Sequence, residues 1–226
     1  MVTSVQQEAS EYSLRRYGSV EFNVRDGGDG EIDFLLDLLM SAGPRPSAGR
    51  YTIIFGNAGE SNAVAECFFS DSEGFAHYTA SLPELAGETD IILVYLDAME
   101  RIYDELGHPK AAEHFIASTL RHELSHSEQR RGGARTPKWT DEDALSKVTA
   151  GEAEAYQVQR WWVSNTTLLA SQKEALKDQI RNNEAFSIEQ NAGRDEKLRQ
   201  LRKEKNRARE LLKSSIVGQI SEVNDP

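Results

Sequence analysis

The chain has 226 residues, 38% of them hydrophobic and 28% charged, a composition that is ordinary for a soluble globular protein. Its formal net charge of −11 disfavours a general nucleic-acid binder, because an acidic surface repels phosphate backbones. The single cysteine, Cys67, excludes an intrachain disulfide and a thiolate metal cluster. No run approaches about 18 consecutive apolar residues, so the sequence predicts no membrane span.

The first half of the chain predicts a small, mostly antiparallel sheet with one early helix. Residues 1–25 are expected to be a weakly structured lead-in or an edge strand around Val20–Val24, and Asp26–Gly30 is typical of a turn. Ile32–Met40 has apolar residues at helical spacing, and prolines follow it in a loop. Further apolar runs predict the strands Tyr51–Phe55, Ala63–Phe69, Phe75–Ala80 and Ile91–Leu96.

The second half of the chain predicts helices. Asp97–Leu106 is one helix closed by a glycine, and Pro109 suits the first position of the next, which stops at Gly132. Thr140 with Asp143 three residues later resembles a capping box. A third helix is therefore expected to begin at Thr140 and to run toward Arg181. It would pass Trp161 and Trp162, which we expect in the core.

Charge separates the C-terminal segment from the rest of the chain. Residues 168–226 carry a net charge of +2, whereas residues 1–167 carry −13. Thin apolar stripes, with candidate breaks at Asn182-Asn183 and Ala192-Gly193, predict a helical hairpin or coiled-coil extension that could self-associate. Residues 194–213 hold nine basic and four acidic side chains, a mixture that favours a solvated helix face over a grip on an acidic partner or nucleic acid.

The motif that carries chemistry is His122-Glu123-Leu124-Ser125-His126, an H-E-x-x-H sequence. On a helix, residues four apart share one face, so two imidazoles there can bind one tetrahedral zinc at ~2.0–2.1 Å. Glu123 lies beside them, where its carboxylate can act as a general base. Phe115 and Thr119 fall in the same sector of the helix as the two histidines, and the other sides are also apolar, which predicts a buried helix.

A catalytic zinc needs a third protein ligand. Gln129 and Gly132 stand where a metzincin would have glycine and histidine, so that branch is excluded. The remaining histidines have no ligand-like spacing and are interpreted as surface or structural residues: His77, His108 and His114. On the next helix Glu152 shares a face with Leu145, Val148, Thr149, Ala155 and Tyr156, which favours it as third ligand. Asp143 and Glu154 remain alternatives, although Glu154 falls on the opposite face and is expected to meet solvent.

The H-E-x-x-H motif, followed 26 residues later by E-x-x-A in Glu152–Ala155, resembles the gluzincin branch of zinc metallopeptidases, including small bacterial effector- or toxin-type proteases. The resemblance covers about residues 50–160 and implies an α+β, zincin-like fold: a small sheet, an active-site helix and a ligand helix. In one respect the chain departs from it, because thermolysin-like members place an aspartate where this chain has Tyr156.

The resemblance implies a zinc-dependent metalloendopeptidase that acts on a protein or peptide. His122, His126 and Glu152 would hold Zn²⁺, and Glu123 would take a proton from zinc-bound water and pass it to the leaving amine. Tyr156 and Tyr78 are candidates to steady the oxyanion, and the strand at 75–80 could align the substrate. The alternative is a non-catalytic zinc-binding regulatory or interaction protein with a helical partner-binding tail.

The first residues of the chain bear on the cellular location of the protein. Its first residues lack the apolar stretch of a secretory signal, which predicts a cytoplasmic protein in the cell that makes it. Non-classical secretion as an effector or toxin leaves no such signal and stays open. On charge and composition, we expect two parts: a metallopeptidase domain at 1–167 and the helical extension at 168–226.

Overall fold

A computed structural model describes residues 12–25, 31–56, 63–70, 88, 90–133 and 144–223. The α+β class is confirmed, with five strands and five helices in those residues. The strands are β1 (Ser13–Tyr17), β2 (Val20–Arg25), β3 (Gly49–Gly56), β4 (Ala65–Phe69) and β5 (Asp90–Tyr95). The helices are α1 (Glu31–Ser41), α2 (Leu96–Leu106), α3 (Pro109–Arg131), α4 (Ala144–Ser164) and α5 (Ala170–Val223). The expected turn at 26–30, strand at 75–80 and capping box at 140–143 lie outside the described residues.

The sheet is mixed, so the expectation of a mostly antiparallel sheet was wrong for the described strands. Its order is β1-β2-β3-β5-β4, with parallel pairs β2–β3 and β3–β5 and antiparallel pairs β1–β2 and β4–β5. Helix α1 connects β2 to β3 and lets the chain re-enter the sheet in the same direction, as parallel neighbours require. The strand at Val20–Val24 is not an edge strand either, because β1 pairs with its outer side.

Helix α3 lies at the centre of the molecule. It contacts α1, α2, α4 and α5 as well as β4 and β5, which explains why the sequence makes it apolar on nearly every side. Its predicted start at Pro109 and its stop before Gly132 are confirmed. Trp162 of α4 is fully buried and donates its indole N–H to the carbonyl of Leu39 at 3.0 Å, as a core tryptophan should. Trp161 is 60% exposed, so its expected place in the core was wrong.

The predicted helix from Thr140 toward Arg181 is interrupted. Helix α4 ends at Ser164 and α5 begins at Ala170. The interruption has a local cause. The side chain of Asn165 donates a hydrogen bond to the carbonyl of Trp161, and that of Thr166 donates to the carbonyl of Val163. Such side-chain bonds to the backbone compete with continuation of the helix.

Residues 170–223 form one helix of 54 residues, not a hairpin with breaks near 182 or 192. Gly193 lies inside this helix and costs only about 1 kcal/mol relative to alanine, too little to end it. The helical pair is formed by α4 and the first part of α5, where Arg160 contacts Glu184. Leu176 and Ile180 are buried in the common core, so the core continues beyond residue 167. In the described part of the chain, no helix is both long and apolar enough to cross a membrane.

A buried arginine joins α3 to the loop after α1. Arg121 is 3% exposed and donates to the carbonyl of Pro44 at 2.8 Å, to Ser125 Oγ at 3.0 Å and to Glu128 Oε2 at 3.0 Å. All three guanidinium nitrogens are thus used, and burial of this charge is compensated by its partners. The sequence analysis did not single out this residue.

We expect Arg121→Met to lower the free energy of unfolding by about 3 kcal/mol, because it leaves Glu128 without its cation in a largely buried place. Arg181→Leu is the matched control, since that arginine is 55% exposed and pairs only along its own helix, and it should change stability by less than about 0.5 kcal/mol. Urea unfolding of the two variants beside the wild type measures both. Equal, small losses would show that the Arg121 network does not stabilise the fold.

Candidate metal centre

His122 and His126 lie one turn apart on α3 and face α4. Their Nε2 atoms are 3.1 Å apart, and the two rings stand nearly perpendicular with centroids separated by 4.9 Å. The predicted helical face is confirmed, since Phe115 and Thr119 line the same cleft as the two histidines. Helix periodicity alone therefore directs both imidazoles to one point.

Glu152 of α4 completes a group of three. Its Oε2 is 3.5 Å from His122 Nε2, and its Oε1 is 3.4 Å from His126 Nε2. Glu154 is exposed and contacts Gln129 instead, while Asp143 lies outside the described residues. Of the two candidate carboxylates that the structure describes, Glu152 is the one brought to the histidines.

The separations within this group suit a metal ion. Two ligand atoms on a tetrahedral zinc at ~2.0–2.1 Å lie about 3.3 Å from each other. The two imidazole nitrogens are 3.1 Å apart, and each lies 3.4–3.5 Å from a different oxygen of the Glu152 carboxylate. Two imidazole nitrogens and one carboxylate oxygen are also donors that divalent transition metals accept. His122, His126 and Glu152 can therefore hold a metal ion.

The protonation states favour binding at neutral pH. Burial, reinforced by neighbouring His122, lowers the pKa of His126 to about 4, so its imidazole is neutral. Burial works against ionisation of Glu152, but its hydrogen bond to His122 and its electrostatic interaction with the two histidines keep the pKa of that carboxyl below its usual value. A neutral imidazole and an ionised carboxylate are the forms that bind metals.

Glu123 is held between this group and strand β4. Burial raises the pKa of its carboxyl to about 7, although His122 and a hydrogen bond from the Cys67 backbone N–H act in the opposite direction. A carboxyl with a pKa close to neutral can both accept and return a proton. Glu123 directly follows His122 in α3, so the helix that orients the two histidines also positions this carboxyl beside them.

Strand β4 turns one backbone edge toward the group. Tyr95 N–H bonds the carbonyl of Val64 at 2.9 Å, and Ala65 is the next residue in register, opposite Val94. Hydrogen-bonded and non-bonded pairs alternate along antiparallel strands, so the backbone groups of Ala65 and Cys67 point away from β5. The bond from Cys67 N–H to Glu123 agrees with this geometry.

The group lies in a cleft of about 1730 Å³. Its walls come from β4, α2, α3, α4 and α5. From α5 the lining includes Asn183, Phe186 and Ser187, and Phe186 is 63% exposed. Small-molecule pockets usually measure about 300–1,000 Å³, so this space exceeds the needs of a small ligand. The extension inferred from the sequence thus contributes a wall of the site.

Tyr156 packs edge-on against His122, with ring centroids 4.3 Å apart. Burial raises the pKa of its phenol, and nearby Glu152 and Glu123 act in the same direction, while a hydrogen bond with Ser187 of α5 opposes them. The tyrosine therefore stays protonated and can donate. The other candidate donor, Tyr78, lies outside the described residues.

Of the other histidines, the two that the structure describes, His108 and His114, do not join the group. His114 is buried, its Nδ1 donates to the carbonyl of Lys110 at 2.7 Å, and its ring packs near Trp162, as a structural histidine would. His108 lies at the surface beside Gln172. His77 lies outside the described residues.

Gln129 is a functional candidate that the sequence analysis treated only as a departure from the metzincin pattern. Its amide oxygen is 3.2 Å from His126 Nδ1. The spacing of Gln129 from His126 in the sequence could have indicated this contact, because a residue three positions after a helical histidine lies on the same face of the helix.

The fold and the site define an α+β protein with two histidines and a glutamate on adjacent helices at the base of a large cleft. Comparisons of the chain with protein-family models, with curated proteins and with solved structures found no match. Function is therefore inferred from the geometry of the site.

Proposed function

We propose that the chain is a zinc-dependent metalloendopeptidase. The observation that carries this proposal is the convergence of His122, His126 and Glu152 within a range that one metal ion can bridge, with the Glu123 carboxyl beside them. Two histidines and one glutamate form a donor set typical of catalytic zinc, which keeps a fourth position open. Bound zinc would supply a Lewis acid that polarises a carbonyl and lowers the pKa of water toward ~7.

Glu123 acts as the proton carrier in this proposal. Its carboxylate accepts a proton from the attacking water and delivers it to the amine that leaves when the C–N bond breaks. Burial raises the pKa of this carboxyl above its ordinary value in the metal-free protein, which favours return of the proton after it has been accepted. The N–H of Cys67 limits the positions that the carboxylate can take.

Strand β4 and Tyr156 bind and orient the substrate. The outward backbone groups of Ala65 can pair with an extended peptide, a role first expected for the strand at 75–80, while the Cys67 N–H holds Glu123. Tyr156, which packs against His122 and stays protonated, is the candidate donor to an oxyanion in this proposal. The size of the cleft favours a protein or peptide over a small molecule.

Metal dependence of peptide cleavage tests the proposal. The zinc-loaded protein is expected to cleave members of a mixed peptide library, to lose that activity in 1,10-phenanthroline, and to recover it on return of about one equivalent of Zn²⁺. Fragments are identified by mass spectrometry. Cleavage that persists without metal contradicts the proposal. Bound zinc with no cleavage of any peptide favours the non-catalytic regulatory alternative.

A further inference from the structure

Every polar atom of the Gln129 side chain has a partner at the junction of α3 and α4. Its amide oxygen faces His126 Nδ1 at 3.2 Å. Its amide nitrogen donates to the carbonyl of Gly151 at 3.0 Å and to Glu154 Oε2 at 3.0 Å. This side chain therefore connects a metal-facing histidine of one helix with two acceptors on the other.

The partners determine which way the amide points. A backbone carbonyl and an ionised carboxylate can only accept, so the nitrogen of Gln129 must face Gly151 and Glu154. Its oxygen is then left for His126, and an amide oxygen can only accept. Nδ1 of His126 must carry the hydrogen, and the lone pair of its Nε2 faces His122 and Glu152. That tautomer is the one in which His126 binds a metal through Nε2.

The backbone at Gly151 is shaped for this contact. A Cβ at that position would come within 3.3 Å of Gln129 Oε1, which is tighter than ordinary contact. Glycine thus lets the amide approach α4 closely. The same helix then has two glutamates with different partners: Glu152 faces the histidines, and Glu154 faces Gln129.

We propose that Gln129, anchored by Glu154 and the Gly151 carbonyl, is a positioning residue that sets the tautomer and orientation of His126 for metal binding. The inference rests on the proposed function, since it concerns the same metal group. It accounts for the second glutamate of the E-x-E sequence, and it gives His126 the hydrogen-bond acceptor that metal-binding histidines usually have. Within the described residues the buried Nδ1 of His122 has no such partner.

Zinc affinity of the full-length protein, measured by competition with a chromophoric chelator, is the first test. Gln129→Leu is expected to weaken zinc binding about 10- to 100-fold, and Glu154→Ala about tenfold or less, as outer partners of metal ligands do. Gln157→Leu is the matched control, because that glutamine is exposed on α4, and its affinity should equal the wild type. Wild-type affinity in Gln129→Leu would overturn the proposal.

The second readout separates positioning from a general loss of structure. In the metal-free wild type, ¹⁵N NMR should show His126 with its hydrogen on Nδ1, and Gln129→Leu should shift it toward a mixture of tautomers while thermal unfolding stays cooperative. An unchanged Nδ1–H tautomer in Gln129→Leu would also overturn the proposal.

Exchanging the amide and the carboxylate between positions 129 and 154, which conserves charge, tests whether zinc affinity can be restored. Gln129→Glu alone places a carboxylate against Glu154 and the Gly151 carbonyl, whereas the double change Gln129→Glu with Glu154→Gln restores a donor between the two side chains. The double variant should bind zinc several-fold more tightly than Gln129→Glu. No recovery would count against the Gln129–Glu154 link.

The two proposals fail in different ways. Zinc binding that depends on Gln129 without any peptide cleavage would remove the peptidase and keep the positioning residue. Peptide cleavage by a protein whose zinc affinity is unchanged in Gln129→Leu would keep the peptidase and remove the positioning residue.

Discussion

Glu123→Gln is expected to lower kcat for peptide hydrolysis by about 10²- to 10⁴-fold, the usual contribution of a positioned general base. Glutamine keeps the shape of the side chain and can still accept the N–H of Cys67, but it cannot take a proton from water. Glu123 is not one of the three groups that can hold the metal, so zinc content should remain at that of the wild type.

Steady-state cleavage of a fluorogenic peptide from the library, with metal analysis of the same samples, measures both quantities. Glu113→Gln is the matched control, since it makes the same change on the same helix three turns away, and it should retain wild-type kcat. Undiminished cleavage by zinc-loaded Glu123→Gln would remove this carboxylate from the role of base.

Glu152→Ala is expected to abolish stoichiometric zinc binding, with affinity reduced by more than about 100-fold, which exceeds the loss from an outer partner of a ligand. The substitution removes a carboxylate whose two oxygens lie 3.4 and 3.5 Å from the histidine nitrogens, and it leaves two histidines alone. Glu154→Ala is the comparison, because it deletes the neighbouring exposed carboxylate of the same helix and should still bind one zinc per chain at micromolar protein.

Metal analysis after dialysis and competition titration distinguish the outcomes. Zinc retained by Glu152→Ala but lost by Glu154→Ala would reassign the third ligand. If the wild type holds no zinc even after zinc is added back, both the metal site and the proposed peptidase activity are contradicted.

Much of the site could be predicted because it depends on helix periodicity. The spacing of His122 and His126 places both on one face wherever a helix of that register forms. The apolar neighbours of Glu152 identified the face of α4 that packs inward, and Glu154, on the other side, is exposed as expected. Helix starts such as Pro109 are equally local, since they depend on backbone groups within one turn.

Other features depend on residues that are distant in the sequence. The parallel pairing of β3 with β2 and β5 is decided by where the chain re-enters the sheet, and an apolar strand looks the same in either direction. The break between α4 and α5 was missed because a short polar stretch can be read as a helix surface until its side chains are seen to bond the preceding carbonyls.

The sequence by itself determined the chemical group: two histidines, a glutamate between them and an inward-facing glutamate on the next helix, all set by the 3.6-residue period of two helices. Only the tertiary structure decided what surrounds that group. It aims the edge of β4 at Glu123, uses α5 as a wall of the cleft, and brings Gln129 between His126 and Glu154. The physical reason is that periodicity is local, whereas these contacts arise from how separate elements pack, and packing depends on the whole core.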